Sequence, residues 1–272
     1  MQDPDNQKPV SGSNSRLWIA LFILSLIGLI LAFAAHRTPP PPPVRIALMS
    51  TIDLQWGEAD LAEVAQGKAH GSAFFTRLSQ GRQIKMIEDI AKLPHSKVDA
   101  LVMVQPRLLS PDEHVALDTW VRSGGRAIIF ADPALQWPSK HPAGDPRHPL
   151  FTSMLGPLLK HWGLKLALPI NGEEADASVS VGDQRIGTSA HGIWVTTADT
   201  AAASCQITPS RLLAQCRVGK GMAIVFADAD MLSDERDVSI IGDGQIVWIL
   251  GIVDDVARNN PLPSAIWEFK GK

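Results

Sequence analysis

The sequence of 272 residues contains no block of lysine and arginine residues. Its 25 basic residues are outnumbered by 28 aspartates and glutamates, which gives a formal net charge of −3. A mildly acidic chain without a basic patch argues against nucleic acid as the main partner. Because 45% of the residues are apolar and 19% are charged, the composition is that of a globular protein with one large or two small domains.

Motifs for covalent catalysis and for phosphate binding are also missing. No Gly-x-Ser-x-Gly occurs, so the usual serine nucleophile motif is excluded. Gly124-Gly125 and Gly219-Lys220-Gly221 precede predicted strands, whereas phosphate loops follow a strand and lead into a helix. His141, Asp145 and His148 share one loop but lack metal-site spacing, so we interpret it as a solvated surface loop. We therefore predict no catalytic residue, no metal and no cofactor.

Residues 17–35 carry no charge and read LWIALFILSLIGLILAFAA. Their number is close to the ~20 residues that cross a bilayer core. A cleaved secretory signal is the alternative, because Ala32-Phe33-Ala34 resembles a cleavage site, but the run exceeds the ~7–15 residues usual for such a signal. We predict a transmembrane helix over 17–35, preceded by a cytoplasmic tail (1–16). Nearby charges do not decide its orientation.

Two features indicate that the rest of the chain is exported. The Pro-rich linker (36–43) includes most of TPPPPPV (38–44), a stiff polyproline II spacer that would hold a domain away from a membrane. Cys205 and Cys216, the only two cysteines, flank a turn in SCQITPSRLLAQC and could face each other across a hairpin. Such a pair predicts a disulfide in an oxidising compartment; two free buried thiols in a cytosolic protein are the alternative.

Strand-like and helix-like segments alternate after residue 44. Apolar runs such as VRIALMS (44–50) and DALVMVQ (99–105) are typical of strands covered on both faces. Ser110-Pro111-Asp112-Glu113 predicts a helix start with an N-cap and a capping box. Parallel neighbours need such crossovers, so the pattern predicts a mostly parallel doubly wound α/β sheet, flavodoxin-like or glutamine amidotransferase-like. We assign residues 44–272 to this one domain.

Two further patterns refine this domain. Short alternating stretches between about 164 and 217 predict a β-rich insertion (about 164–217) of antiparallel hairpins, inserted into the sheet or added to it. GRAIIFAD (125–132) and GMAIVFAD (221–228) agree at six of eight positions, but their surroundings differ. We interpret them as two parallel strands of one sheet and not as a sequence repeat.

Three stretches resemble GldG-like auxiliary proteins of ABC-type transport systems. They are ALVMVQPRLLSPDEHVALDTWVRSGGRAIIFADP (100–133), HPLFTSMLGPLLKHWGLKL (148–166) and VGKGMAIVFADADMLSDE (218–235). The resemblance implies a sheet akin to the class I glutamine amidotransferases. It also implies a tethered extracytoplasmic role beside a permease and an ATPase, with the C-terminal domain in the periplasm of a bacterium. Catalytic members of that fold need a cysteine after a sheet strand, and the corresponding VMVQPRLLS has none.

Polar side chains follow several of the predicted parallel strands. Ligands bind beyond the carboxyl ends of strands in open parallel sheets, so these side chains form a candidate ligand-binding surface. Its members are Asp53, Trp56, Glu58, Gln105, Arg107, Asp132, Asp228 and Asp230. Trp56 could stack on a ligand, and a carboxylate pair could supply acid–base chemistry. The alternative is that the aspartates cap turns and helices.

Two functional hypotheses follow. The first is a non-enzymatic binding or scaffold protein, anchored in the bacterial inner membrane, that assists an ABC-type transport system. The second is a cell-envelope hydrolase that uses the strand-end carboxylates on a sugar- or peptidoglycan-like substrate. The first is the leading hypothesis, because no nucleophile motif accompanies the carboxylates.

Overall fold

A computed structural model describes residues 14–35, 42–169, 178–197, 202–234 and 244–268. The chain divides into two compact units, Met1–Pro42 and Pro43–Lys272. Most of the predicted cytoplasmic tail (1–16) and of the Pro-rich linker (36–43) lies outside the described residues.

The first unit contains helix α1, Asn14–Ala35. Its side chains are described for residues 17–29, where the large apolar residues are between 47% and 71% exposed. Across the described parts of the chain, no helix combines the length and the apolar character needed to span a membrane. The prediction of a transmembrane helix over 17–35 therefore gains no support from the structure.

The second unit is a mixed α/β domain. Its strands are β1 Val44–Ser50, β2 Arg82–Met86, β3 Ala100–Val104, β4 Arg126–Phe130, β5 Leu164–Ala167, β6 Ser178–Val181, β7 Gln184–Gly187, β8 Ile193–Thr196, β9 Ser204–Ile207, β10 Leu213–Val218 and β11 Gly221–Phe226. Its helices are α2 Leu61–Ala65, α3 Ala73–Ser79, α4 Pro111–Arg122, α5 Gly156–His161 and α6 Gly244–Arg258, with 3₁₀ turns at Ile90–His95, Asp230–Leu232 and Ser264–Trp267.

Seven strands form the central sheet in the order β2-β1-β3-β4-β11-β10-β9. The pairs from β2 to β11 are parallel, and the pairs of β10 with β11 and with β9 are antiparallel. This confirms the prediction of a mostly parallel sheet. The order β2-β1-β3-β4-β11 follows the flavodoxin-like pattern, in which the strand order reverses beside β1.

Helices cover both faces of the sheet, as in a doubly wound fold. Helices α3 and α6 pack together on one face, α4 packs on the other, and α5 packs on α4 and β5. Phe130 of β4 and Phe226 of β11 stack with their ring centroids 4.7 Å apart. Phe74 of α3 and Trp248 of α6 extend this row of rings. All of strand β3 is buried, which explains its continuous apolar sequence.

The start of α4 has the predicted cap. The Ser110 hydroxyl accepts the backbone N–H of Glu113 at 3.2 Å, and the Glu113 carboxylate accepts the backbone N–H of Ser110 at 3.0 Å. Pro111 occupies the first helical turn. The sequence therefore determines this helix start locally, through the reciprocal hydrogen bonds of a capping box.

The β-rich segment is partly separate from the central sheet and partly added to it. Strands β5 and β8 pair with each other, β6 pairs with β7, and β9 with β10 extends the central sheet. Cys205 and Cys216 are direct partners in this extension and form the predicted disulfide, with their Cα atoms 4.0 Å apart. Residues 170–177 and 198–201 of the predicted insertion lie outside the described residues.

The leucine-rich segment 150–162 has a sequence pattern that favours a helix along its whole length. Only Gly156–His161 is helical. The preceding backbone bonds to the loop after β4 instead: Ser153 donates to the carbonyl of Asp132 at 2.6 Å, and Leu135 donates to the carbonyl of Phe151 at 2.8 Å. These loop–loop hydrogen bonds replace the intrahelical ones that the leucine pattern favours.

Candidate functional site

A cavity of about 770 Å³ lies at the carboxyl edge of the central sheet. The loops after β1, β4 and β11 surround it, and we call it the strand-end cavity. Asp53, Glu58, His70, Lys140, Arg147 and Asp234 are among its lining residues. Its position is where an open parallel sheet is expected to bind ligands, and its volume is in the range of small-molecule sites.

Glu58 connects two of these loops. Its carboxylate accepts the hydroxyl of Ser139 and the backbone N–H of Lys140. Burial opposes the ionisation of Glu58, but these hydrogen bonds and the charges of His141 and Lys140 outweigh that effect, so the pKa of Glu58 lies below its ordinary value. Glu58 is therefore ionised, and its hydrogen bonds connect the loop after β1 to the loop after β4.

The other two residues predicted in the loop after β1 are Asp53 and Trp56, and only Asp53 lies at the cavity. Asp53 lines the cavity, and its carboxylate accepts the backbone N–H of Trp56 at 3.0 Å. Trp56 is 45% exposed but is not part of the cavity wall. The structure thus keeps Asp53 at the candidate site and does not bring Trp56 there as a stacking surface.

Several cavity residues were not predicted from the sequence. His70 and Trp137 contribute to its wall. Asp234 also lines it, and its carboxylate accepts the backbone N–H of Ala73 at 2.8 Å and 3.0 Å through its two oxygens. Asp234 and Ala73 are 161 positions apart, so no local sequence signal could have joined them.

The loop with His141, Asp145 and His148 does not gather these side chains into one site. His141 lines the cavity. Asp145 pairs with Arg147 at 2.7 Å, and this partner holds the pKa of Asp145 well below its usual range. The His148 ring packs on Phe151 with centroids 4.5 Å apart. These separate partners agree with the interpretation of a surface loop.

Asp132, Asp228 and Asp230 meet after β4 and β11 and are not part of the wall of the strand-end cavity. Asp132 and Asp228 are 0% exposed and Asp230 is 2% exposed. One carboxylate oxygen of each lies within 4.8 Å of the others. Burial raises the pKa of Asp132 above its ordinary value, although backbone N–H groups and Asp228 hydrogen-bond to its carboxyl group. The sequence placed these residues correctly at one edge of the sheet, but they are buried and not presented to a ligand.

Backbone N–H groups donate hydrogen bonds to the carboxylates of this aspartate cluster. Asp132 accepts from Ala134 at 2.8 Å and from Ala229 at 2.9 Å. Asp228 accepts from Met231 at 2.9 Å and from Ser189 at 3.0 Å. Asp230 accepts from Gln136 at 2.6 Å. Grouped carboxylates are ligands that Mg²⁺ and Ca²⁺ favour, but these hydrogen bonds are those of turn caps. They are the contacts that the capping alternative predicts for these aspartates.

Gln105 supports this cluster from the next strand. It is fully buried and has a positive φ of 39°. Its side-chain carbonyl accepts the backbone N–H of Asp132 at 3.0 Å, and its side-chain amide donates to the carbonyl of Leu150 at 2.8 Å. Gln105 therefore holds two loops together and does not line the strand-end cavity.

Arg107 lies outside the cavity. Its guanidinium group forms an ion pair with Glu113 of α4 at 2.5 Å and donates to the carbonyl of Glu88. The hydrogen bond from Arg107 lowers the pKa of Glu113 to about 2, against the opposing effect of burial. Arg107 thus braces the start of α4. Of the predicted surface, Asp53 and Glu58 line the cavity.

These observations define a class, a doubly wound α/β domain with a polar cavity at the carboxyl edge of its sheet. Residues 44–169 match the model of the family described as "ABC-type uncharacterized transport system". This match confirms the resemblance of the chain to auxiliary proteins of ABC-type transport systems. The matched stretch runs from β1 to β5, so it contains the loops after β1 and β4 that build most of the cavity.

Several solved structures align with this chain at low identity. The mmIFT52 N-terminal domain is 12% identical, with a TM-score of 0.48, and the alignment covers 81% of this chain and 99% of that one. A β-galactosidase from the Antarctic haloarchaeon Halorubrum lacusprofundi is 12% identical, with a TM-score of 0.46, covering 79% of this chain and 30% of that one. A ThuA-like protein from Bacteroides uniformis is 13% identical, with a TM-score of 0.39, covering 80% and 93%. No functional conclusion rests on these similarities, and no curated protein matches the chain.

Proposed function

We propose that the protein is a non-enzymatic binding or scaffold component of an ABC-type transport system, of the GldG-like type, anchored in the bacterial inner membrane with its α/β domain in the periplasm. The family match over residues 44–169 carries this proposal. The strand-end cavity supports a binding role, because the matched stretch supplies two of its three loops. A glutamine amidotransferase-like ancestry of the sheet is part of the same proposal.

The buried aspartates favour binding over hydrolysis. Glycoside hydrolysis needs two carboxyl groups that reach the substrate, about 5–10 Å apart. Asp132 and Asp228 are 0% exposed, and each accepts backbone N–H groups of neighbouring loops. A substrate in the strand-end cavity would not contact them. The hydrolase hypothesis therefore loses Asp132 and Asp228 as its carboxylate pair. The two predicted carboxylates that do line the cavity, Asp53 and Glu58, accept hydrogen bonds from residues of the surrounding loops.

Glu58 is the residue on which a binding role of the cavity is best tested. Its carboxylate joins the loop after β1 to the loop after β4 through Ser139 and Lys140. Replacing it with alanine would remove both hydrogen bonds and free the two loops from each other. A partner or ligand that recognises the closed arrangement would then bind more weakly, without any change in the buried sheet.

Capture of the tagged full chain from its native cells in mild detergent tests the proposal. We expect mass spectrometry to identify a permease and an ATPase with the wild type, and less of both with Glu58→Ala. Lys92→Ala, an exposed change in the 3₁₀ turn at Ile90–His95 and outside the cavity, is the matched control. Failure to enrich any transporter subunit with the wild type would contradict the proposal.

The proposed location has separate support and a separate test. The uncharged run over 17–35 supports an anchor. The disulfide between Cys205 and Cys216 supports an oxidising compartment such as the periplasm. A reporter that is active only in the periplasm, fused after Lys272, should be active. Activity of a cytoplasmic reporter at the same position would overturn the proposed topology.

A further inference from the structure

A second cavity, of about 540 Å³, lies at the opposite edge of the sheet from the strand-end cavity. It is formed where β4 and β11 begin, beside β9, β10 and the segment that follows α6. We call it the basic groove and define it by Arg126, Gln215, Arg217, Lys220, Asn259 and Trp267. Apart from Arg126, these residues lie outside the stretch that matches the family model. Most of the groove is therefore formed by the C-terminal part of this chain.

The charge of this groove has one sign. Arg126, Arg217 and Lys220 line it, and no aspartate or glutamate does among the described residues. None of these three cations has a carboxylate within ion-pair distance in the described parts of the chain. The charge of Arg126 contributes to lowering the pKa of Asp99, after the larger effect of Arg45, and Asp99 forms its ion pair with Arg45 at 2.8 Å. A cationic groove on a chain of net charge −3 attracts anions locally.

Strand register places the two arginines on one face of the sheet. Met222 of β11 is the partner of Arg126 on β4 and of Arg217 on β10. Two strand spacings separate the backbones of the arginines by about 10 Å. Arg126 also donates to the side-chain carbonyl of Asn259 at 3.3 Å, which orients its guanidinium plane. Lys220 lies in the tight turn between β10 and β11, at the same end of the groove.

The remaining walls determine what kind of anion fits. Guanidinium groups bind phosphate with paired, charge-assisted hydrogen bonds. The amides of Gln206, Gln215 and Asn259 can bind hydroxyl groups next to such a phosphate. Trp267 is half-buried and adds an apolar wall. A cavity of this size accommodates more than a bare ion.

We propose that the basic groove binds a phosphoryl group attached to a small polar body, from a soluble phosphate ester or a phospholipid headgroup. This inference goes beyond the proposed function, because it concerns a different surface from the strand-end cavity. Arg126 and Arg217 bind the phosphoryl oxygens, and Lys220 adds charge at the rim. Affinity falls with increasing salt, because exposed charges are screened.

Isothermal titration of the full chain in neutral detergent tests this proposal. The probes are glycerol 1-phosphate, short-chain phosphatidylglycerol below its micellar concentration, and glycerol as the uncharged control. We expect at least one phosphorylated probe to bind and glycerol not to bind. Tighter binding of glycerol 1-phosphate would indicate that the natural ligand is a soluble ester. Tighter binding of phosphatidylglycerol would indicate a lipid headgroup. Absence of binding by both phosphorylated probes overturns the proposal.

Variants identify the groove as the site. Arg126→Gln and Arg217→Gln should each weaken binding about tenfold, as expected when one charge-assisted hydrogen bond is lost. Lys165→Gln removes an exposed charge of β5 outside the groove and should leave affinity unchanged. An equal loss in Lys165→Gln would show nonspecific attraction and would overturn the proposal. This result is independent of the proposed function, which the capture experiment with Glu58→Ala tests.

Discussion

The carboxylate of Asp132 accepts the backbone N–H of Ala229 at 2.9 Å, which bonds the end of β4 to the end of β11. The two strands are parallel neighbours in register from Arg126 with Met222 to Phe130 with Phe226. This explains the similar sequences GRAIIFAD and GMAIVFAD. Both segments need a buried apolar strand followed by an aspartate that holds the backbone of the next loop.

Asp132→Ala is expected to lower the free energy of unfolding by about 3 kcal/mol, because buried N–H groups would lose their acceptor. The acceptor serves Ala134, Ala229 and Asp230. Asp132→Asn should cost less, since it keeps one acceptor oxygen. Urea unfolding measures the loss of stability in both variants, provided that the m-value does not change. Asp112→Ala, an exposed change on α4, is the control, and a loss no greater than in this control would contradict the structural role.

Local chemistry explains why much of this fold is predictable from the sequence. The capping box at Ser110, the apolar parallel strands and the cysteine hairpin each depend on residues close together in the chain. The aspartates after β4 and β11 were placed at the correct edge for the same reason. Their burial was not predictable, because it depends on loops packed over them from elsewhere.

Long-range loop contacts account for what the sequence did not predict. Glu58 meets Ser139 across 81 positions, and Gln105 meets Leu150 across 45. Neither pair has a spacing signal. The residues before α5 have a helical pattern, but hydrogen bonds to the loop after β4 override it. The basic groove depends on strand order, which places β4 beside β11 although the intervening chain is long.

Glu113→Gln is expected to change the acid sensitivity of the domain. The folded pKa of Glu113 is lowered from 4.5 to about 2, chiefly by Arg107. A lowered pKa contributes stability above the unfolded pKa, and this contribution is lost as pH falls from about 4.5 towards 2. The variant should therefore be less stable than the wild type at pH 7, and the difference should shrink over that range.

Urea unfolding at a series of pH values measures this difference. Glutamine keeps the capping-box hydrogen bond to Ser110, so the comparison isolates the charge that faces Arg107. Asp112→Asn, which removes a neighbouring exposed charge of the same helix, is the matched control. A wild-type advantage that is constant between pH 7 and pH 2 would contradict the role of the ion pair.

Removal of the disulfide should lower the free energy of unfolding by about 2–3 kcal/mol, as expected for a short closed loop. Cys205 and Cys216 are 11 positions apart, and Cys216 is fully buried. Alanine at both positions avoids placing a hydroxyl in the core. Urea unfolding with and without a reductant should show a shift for the wild type and none for the double variant. An equal response of both to the reductant would show that the bond does not stabilise the domain.

Two glycine substitutions should have opposite effects, because their surroundings differ. A Cβ at Gly221 would clash with the carbonyl oxygens of Val121 and Gly125, which are backbone atoms of α4 and of the turn before β4. Gly221→Ala should therefore cost about 3 kcal/mol, since α4 would have to shift from the sheet. Gly251 is exposed within α6 and has no atom within 4 Å of an added Cβ, so Gly251→Ala should gain about 1 kcal/mol from helix propensity.

Urea unfolding of both glycine variants under the same conditions decides this point. Unchanged m-values would show that the folded state keeps its compactness. A neutral Gly221→Ala would mean that α4 does not press against the start of β11, and the packing that positions the basic groove would then be wrong. A destabilising Gly251→Ala would mean that the exposed face of α6 contacts another part of the protein. A loss of stability in Gly221→Ala requires the close approach of α4 to β11. A gain of stability in Gly251→Ala requires the open surface of α6.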